Sequence, residues 1–572
     1  MQERSAPIDE KQLGQFMDIL RRYKAGKART ESRIVASENW WKLRNTLEES
    51  RETDIGKDGG FVSRSGWLHN VIVSKHADAM DAYPEPVILP REEGDRAEAG
   101  MLSAIIPCVL EQNRFEETYS SAMWQKLKTG TALYKVVWDN ARLNGLGDIA
   151  VEQVNLLNVF WEPGLTDIQK SRYFFHTELV DKEVLEEKHP KLRGKLRGNA
   201  FLATRFLYDD SVDLSGKVTV VEVYYRRQGS RGPVLHYCRF VGDQVIYATE
   251  NDPKLSQTGL YSHGRYPYVF DALYPVEGTP CGYGFVDLCR NPQLEIDLLK
   301  TSFVKNAMVG ATPRYFSRGE GAVNEEEFLD LSKPIVHVST ASEDALRMVG
   351  YQRLDGVYVN VLDRTIQELR ETSGNTETAT GNVSKGVTAA SAIAALQEAS
   401  GKGSRDASMG SYRAYSRIVE LCIELIRQFY TLPRQFRITG QMGQYRYVTY
   451  TNQHLQPTQQ HVFGQETALR QPVFDIKVTA QRRSAYSRMA QNELALELFT
   501  KGLFNPQLAQ QALLCLELMD FEGIEKVRSG IARNGALFAG FMRPPKEKGE
   551  QKSPTEEARA AAATRAIPGE GL

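Results

Sequence analysis

Two long helical patterns in the middle of the chain are separated by a segment with almost no apolar side chains. The segment, GNTETATGNVSKGVT at 374–388, contains three glycines and four threonines. Before it, Tyr358, Leu362, Ile366 and Leu369 recur at three- and four-residue steps, which predicts a helix over about 353–372. Because helix connections usually have about two to eight residues, a connection of this length predicts a mobile loop with a role of its own.

The chain before these helices has the pattern of an α+β unit. Residues 8–50 and 96–127 have helical periodicity, and WLHNVIVSKHADAMDAY is helical too, whereas the proline-rich PEPVILPREEGD must be extended. Alternating apolar residues on both sides of Asn144-Gly145 predict a hairpin. Further strands are expected at 218–225, in LHYCRFV and in QVIYA.

The chain around and after the loop reads mainly as helix, with a few strands. Asn291 can cap a helix that has Pro292 at its first position, and an acidic turn and the strand PIVHVST follow it. Thr388 can cap a helix that runs to about Tyr430, with bends expected at its glycines. Strands at 434–450 and 473–479 and helices at 484–540 complete the fold, and the sequence predicts a disordered, removable tail at 543–572.

Charge and hydropathy exclude several classes of protein. The chain has 71 basic and 72 acidic residues, which argues against a polybasic nucleic-acid binder. Its mean hydropathy is -0.41, and no apolar run approaches the roughly 18 residues of a membrane span. The sequence starts without the pattern of a secretory signal, and no two of its six cysteines are spaced as C-x-x-C, so we expect reduced, mostly buried thiols.

No motif in the sequence predicts a catalytic residue, a metal site or a cofactor. The phosphate-binding G-x-x-x-x-G-K-[ST], H-E-x-x-H and G-x-S-x-G patterns are all missing. Gly282-Tyr-Gly284 is a fragment of a dinucleotide fingerprint without its third glycine. His76, Asp78 and Asp81 could hold a metal ion, or they could form a hydrogen-bonded, solvated helix face.

An ordered set of segments resembles one known family. These are ESRIVASENWWKLRN, WLHNVIVSKHADAMDAYPEPVILPREEGD, KLKTGTALYKVVWD, GLGDIAVEQVNLLNVFWEP, YPYVFDALYPVEGTPCGYGFVDLCRNPQLEIDLLKT and TETATGNVSKGVTAASAIAALQEASGKGSRD. Together they span residues 31 to about 405, and their order is similar to that in the portal proteins of tailed bacteriophages and prophages.

The resemblance implies a portal-type α+β fold with a two-helix stem, a small α/β clip and a helical crown. In portal terms, the parts would be an N-terminal helical segment at 1–60, a wing at 61–274, stem helices at 284–310 and 351–373, a clip at 311–350, a channel loop at 374–388, a long kinked helix at 389–431, a C-terminal wing and crown at 432–542, and the tail at 543–572.

The resemblance also implies a structural role without catalysis. Portals form rings of twelve copies at one capsid vertex, through which double-stranded DNA enters and leaves. The expected partners are DNA, terminase, the major capsid and scaffolding proteins and head–tail connector proteins, without a membrane. The expected location is the virion, after assembly in the host cytoplasm.

Two groups of residues are candidates for contacts in such a ring. The first would face DNA from the channel loop: Thr376, Thr378, Thr380, Asn382, Ser384 and Lys385. The second would form an acidic, solvated collar on the clip where a basic partner surface docks: Glu320, Glu325, Glu326, Glu327 and Asp330. Lys385 could equally be an ordinary loop lysine, and the acidic residues could simply keep an exposed turn soluble.

Two other functions remain open at the level of sequence. A head–tail adaptor is a different structural protein of the virion, but adaptors are usually far shorter than 572 residues. A packaging ATPase or nuclease is the enzymatic alternative, although the phosphate-binding motif and an ordered acidic cluster are both missing.

Overall fold

The structure is a computed structural model, and it describes most of the chain up to residue 542. The described residues are 8–42, 63–196, 201–206, 214–229, 232–311, 315–317, 324–330, 335, 337, 346–348, 355–375, 402–439, 445–462, 465–482, 495–517 and 524–542. The chain divides into two units, Met1–Gln481 and Arg482–Leu572.

Helices and strands are mixed along the first unit, and helices make up the described secondary structure of the second. The helices are α1 (Glu10–Trp41), α2 (Trp67–Asp81), α3 (Arg96–Gln112), α4 (Phe115–Thr129), α5 (Lys182–Lys188), α6 (Phe285–Ala311), α7 (Glu325–Leu329), α8 (Gly356–Ser373), α9 (Lys402–Phe429), α10 (Ala509–Glu517) and α11 (Ile524–Met542). The strands are β1 (Ala82–Pro90), β2 (Thr131–Asp139), β3 (Asp148–Gln153), β4 (Val159–Trp161), β5 (Tyr173–Asp181), β6 (Lys217–Gly229), β7 (Gly232–Val241), β8 (Gln244–Ala248), β9 (Tyr268–Ala272), β10 (Tyr274–Pro275), β11 (Gly282–Tyr283), β12 (Tyr315–Ser317), β13 (Leu346–Met348), β14 (Arg434–Thr439), β15 (Tyr445–Tyr450), β16 (Thr458–Val462), β17 (Gln465–Arg470) and β18 (Phe474–Arg482).

The sheets are small, and every strand pair of known register is antiparallel. Five strands follow the order β4-β5-β6-β7-β8, and three follow β3-β2-β9. Trp138 pairs with Ile149 and Val136 with Val151, so the hairpin predicted from Asn144-Gly145 is confirmed. The mixture of helices with antiparallel sheets confirms the predicted α+β class.

The N-terminal helix covers the five-stranded sheet. The side chain of Asp9 caps α1 by accepting a hydrogen bond from the backbone of Gln12. Leu13, Phe16 and Leu20 repeat at helical spacing and are buried in one cluster with apolar residues of the sheet. Because α1 and the sheet share this cluster, α1 is packed as part of the first unit.

The largest core joins α3, α4, the three-stranded sheet and α9. The stripe predicted for the long helix is buried in it: Tyr415, Ile418, Val419, Cys422, Ile423 and Ile426. Within its described range, α9 continues without interruption past Gly403 and Gly410. The predicted start of this helix, from Thr388 to Gly401, lies outside the described residues.

A buried ion pair crosses this core. Lys126 of α4 contacts Asp271 of β9 at 2.7 Å, and the two side chains are only 1% and 2% exposed. Lys126 also donates to the hydroxyl of Ser411 at 2.7 Å and to the carbonyl of Ala407 at 3.3 Å. One ammonium group therefore connects α4, β9 and α9.

Several local predictions were wrong. The helix expected to begin at Asn291 begins at Phe285, so Pro292 lies inside α6. The helix predicted across 96–127 is two helices, because Arg114 adopts φ 50° between them. The hairpin of β16 and β17 was not predicted. Most of the predicted strand PIVHVST lies outside the described residues, and its two described residues, Ile335 and His337, are not assigned to a strand.

The second unit has a small helical core of its own. Ala509, Ala512 and Leu516 of α10 are buried with Ile531 of α11. All six cysteines lie in the described part of the chain and none forms a disulfide; four of them are buried, as expected. The predicted tail at 543–572 lies outside the described residues.

Candidate functional site

The channel-loop candidates lie in a part of the chain that the structure does not describe. Thr376, Thr378, Thr380, Asn382, Ser384 and Lys385 all fall in the gap between 375 and 402. The structure does describe both sides of this gap, where α8 ends and α9 begins.

The first two residues of the predicted loop are fixed in place. Gly374 adopts the left-handed conformation (φ 66°) that commonly ends a helix, and its N–H donates to Glu371. Asn375 is buried, and the hydroxyl of Ser74 on α2 donates to its side-chain oxygen at 3.2 Å. Gly374 is therefore the C-terminal cap of α8.

A row of polar side chains on α6 binds the segment that precedes α2. Gln293, Asp297 and Thr301 are buried and spaced four residues apart, so they lie on one face of the helix. Asp297 accepts from the N–H of Ser65 at 2.8 Å and from its hydroxyl at 2.5 Å. Thr301 accepts from the N–H of Ser63 at 2.9 Å. These contacts attach residues 63–65 along the helix.

The same row caps α2 from another helix. Gly66 at the N-cap has no side chain to accept a hydrogen bond. The side-chain oxygen of Gln293 instead accepts from the N–H of Leu68 at 3.1 Å, and its amide donates to the carbonyl of Ser65 at 2.7 Å. The position of α2 is thus tied to α6, a connection that sequence analysis missed. Its only sequence signal was the four-residue spacing of polar residues within an otherwise apolar helix.

Helices α6 and α8 pack against each other but leave apolar stripes uncovered. Ile296 of α6 and Leu369 of α8 are buried in one cluster. Leu294 and Leu298 of α6 are 38% and 56% exposed, and Val357 and Val361 of α8 are 60% and 46% exposed. Each pair is spaced i, i+4 and so forms an apolar stripe on the helix surface.

The acidic candidates lie on and beside the short helix α7, which Asn324 caps. Glu325, Glu326 and Asp330 are exposed, as predicted, whereas Glu320 lies outside the described residues. Glu327 is different: its side chain is only 18% exposed, and its carboxylate contacts the Nδ1 of His337 at 2.7 Å. Glu327 is therefore only partly exposed and already has a partner within the chain.

Two of the three possible metal ligands on α2, His76 and Asp78, have other partners. The ring of His76 stacks on Trp124 at 3.8 Å between centroids, and its Nε2 lies 3.1 Å from the hydroxyl of Ser120. Burial lowers the pKa of His76 below its usual value. Asp78 accepts from the hydroxyl of Ser404 at 2.8 Å. Within the described residues, no group of three or more His, Cys, Asp or Glu side chains is arranged to hold a metal ion.

The glycines of Gly282-Tyr-Gly284 allow two backbone segments to pack closely. A Cβ atom on Gly282 would lie 2.5 Å from the carbonyl oxygen of Tyr274. A Cβ atom on Gly284 would lie 2.6 Å from the carbonyl oxygen of Lys128 and 2.8 Å from the nitrogen of Gly130. This close packing explains both glycines without a nucleotide.

Comparison with known proteins identifies one family. The model of the phage P22-like portal proteins matches residues 78–261 and 283–568, which is well over half of the chain. No curated protein matches the chain. None of the helices in the described ranges is long and apolar enough to cross a membrane.

Proposed function

We propose that this chain, which belongs to the phage P22-like portal protein family, forms a ring at one capsid vertex through which double-stranded DNA is packaged and ejected. The family is structural and its fold is of mixed α and β type. The observation that carries the proposal is the family match across both units, from residue 78 to residue 568 with one short gap.

The uncovered stripes on α6 and α8 support assembly with further copies of the chain. Exposed apolar side chains at helical spacing are stabilised when a second surface removes them from water. In a ring, the stripe of Leu294 and Leu298 on one copy and that of Val357 and Val361 on the next would each be covered. A twelve-membered ring is the expected closed form.

The dimensions of such a ring suit a DNA duplex. Packed helices lie about 8–10 Å apart and each is about 10 Å thick, so twelve upright helices leave an opening of roughly 21–28 Å. A duplex, roughly 20 Å across, passes with little clearance. The net charge of -1 per chain also keeps the ring from binding DNA tightly, because each neutralised phosphate would raise affinity and slow sliding.

The channel loop is the proposed contact with DNA. Threonine and serine hydroxyls can bond phosphate oxygens without adding charge, and Lys385 supplies the only cation in 374–388. Twelve weak contacts of this kind would resist backward slippage of packaged DNA without stopping its passage. The clip would dock terminase during packaging and connector proteins afterwards, and the wing would meet the major capsid and scaffolding proteins.

Ring formation is tested on the purified full chain by electron microscopy and mass measurement. The wild-type protein is expected to form rings with a central hole. Val357→Asp combined with Val361→Asp should prevent ring closure, because the change buries unpaired charges at every interface. Asn360→Asp is the matched control, since it adds charge at an exposed polar position of α8 and should leave rings intact. A wild-type protein that stays monomeric at all concentrations would refute the proposed ring.

The DNA contact is tested by deleting residues 376–385. The variant should still form rings but should package or retain less nuclease-protected DNA. Lys385→Glu should act in the same direction more weakly, with Lys385→Gln as a control that removes the charge without repulsion. Normal rings with wild-type packaging in the deletion variant would show that the loop is a passive connection.

A further inference from the structure

The ammonium group of Lys75 on α2 contacts both the end of α8 and the start of α9, the two helices that flank residues 376–401. Its side chain is only 7% exposed, and burial lowers its pKa. The Nζ atom donates to the carbonyl of Gly374 at 3.4 Å and to the hydroxyl of Ser404 at 3.0 Å. The chain that leaves α8 and the chain that enters α9 therefore contact the same nitrogen atom.

Neighbouring side chains on α2 reinforce both contacts. Ser74 donates to the buried Asn375, directly after the helix cap. Asp78 accepts from Ser404 at 2.8 Å and lies 3.8 Å from the Nζ of Lys75. A single turn of α2 thus holds the last described residues before the gap and the first turn of the helix after it.

Lysine suits this position chemically. Its ammonium group carries three donors that can rotate toward acceptors on different elements. Bonds from an ionised donor are stronger than neutral ones, particularly where water is excluded. Here the carbonyl of Gly374, the hydroxyl of Ser404 and the carboxylate of Asp78 surround the ammonium group.

We propose that Lys75 is a positioning residue that fixes both ends of segment 376–401 to α2. The distance between Gly374 and Ser404 is then set by one side chain of another helix. The contacts of Lys75 support this role by themselves. Any effect of the role on the retention of packaged DNA rests on the proposed function.

Trypsin can report on this role, because Lys385 is the only lysine or arginine in 376–401. Cleavage after Lys385 in the full chain is followed by mass spectrometry for the wild type and for Lys75→Met, which keeps the apolar stem and removes the ammonium group. In the variant, Gly374 and Ser404 should separate from α2 more often, so that trypsin can draw the chain around Lys385 into its active site about tenfold faster or more. Lys75→Arg keeps the charge and donors and should return the cleavage rate close to the wild-type value.

Lys27→Met is the matched control. Lys27 of α1 is also buried and also donates to backbone carbonyls, those of Leu156 and Val159, but it has no contact with 374 or 404. The control should lower stability without selectively accelerating cleavage after Lys385. If Lys75→Met does not fold, Ser404→Ala removes one partner of Lys75 and should accelerate cleavage by a smaller factor.

The outcomes separate the two proposals. Cleavage at the wild-type rate in Lys75→Met, or equal acceleration in Lys27→Met, would overturn the positioning role whatever happens to DNA. Accelerated cleavage in Lys75→Met alone, with rescue by Lys75→Arg, would establish it. Absence of rings in the wild-type protein would instead refute the proposed function and leave the positioning role standing.

Discussion

Replacing Lys126 by methionine should be one of the most damaging single changes in the first unit. The substitution leaves the carboxylate of Asp271 buried at 2% exposure without its ammonium partner at 2.7 Å. Among the described residues, the second oxygen of Asp271 has no hydrogen-bond partner even in the wild type, so none of them compensates for the loss. Breaking a buried pair from one side costs about 3–5 kcal/mol.

Substituting both partners should be far less harmful. In Lys126→Met combined with Asp271→Leu, no charge is left buried, and apolar groups of comparable volume fill the space. Such replacements are often neutral or stabilising, so we expect the double variant to lie within about 1–2 kcal/mol of the wild type. The difference from the sum of the two single variants then measures the coupling between the partners.

The assay is hydrogen exchange on the full chain, supported by urea unfolding. Since Lys126 also binds Ser411 and Ala407, the loss in Lys126→Met should concentrate in the first half of α9, where protection should fall by roughly 10²- to 5 × 10³-fold. Arg21→Met is a suitable control, because the ion pair of Arg21 with Asp18 is largely exposed and should contribute little. A loss below about 1 kcal/mol in Lys126→Met, or a double variant as unstable as the worse single variant, would refute the reasoning.

Three further outcomes are expected. Gly284→Ala should lower the free energy of unfolding by about 1–3 kcal/mol, because its Cβ would meet backbone atoms at 2.6–2.8 Å. Gly14→Ala should instead stabilise α1, because among the described residues its Cβ would meet no atom within 4 Å apart from its own stretch of helix. Equal melting temperatures of the two variants would contradict this. Burial lowers the pKa of Lys27 from 10.5 to about 8, so between pH 8 and 10.5 the unfolded chain binds more protons than the folded chain. The free energy of unfolding of the wild type should therefore rise with pH by up to about 1.4 kcal/mol per pH unit relative to that of Lys27→Met. If the two proteins show the same dependence of urea unfolding on pH, Lys27 is not the group responsible. Glu325→Lys with Glu326→Lys should weaken terminase binding in a pull-down at low salt without affecting ring formation. The control, Glu183→Lys with Glu187→Lys on α5, should leave terminase binding unchanged. Unchanged binding in the first variant would count against an acidic docking surface.

Local patterns in the sequence were enough to predict many of the helices and strands of the first unit. The alternation around Asn144-Gly145 predicted a hairpin whose register the structure confirms. The apolar stripe of α9 predicted its buried face, and the ordered segments predicted the family that the comparison identifies. These features depend on side-chain periodicity and turn chemistry, which neighbouring residues determine.

Only the tertiary structure determines which polar residues, far apart in the chain, become partners. Asp297 attaches a segment more than two hundred residues earlier, Lys126 pairs with Asp271 across a core, and Lys75 joins Gly374 to Ser404. Nothing near these residues in the chain identifies their partners, because the contacts form between elements that only folding brings together. Burial then makes each contact strong, since an ammonium or carboxylate group removed from water must find a partner inside the protein.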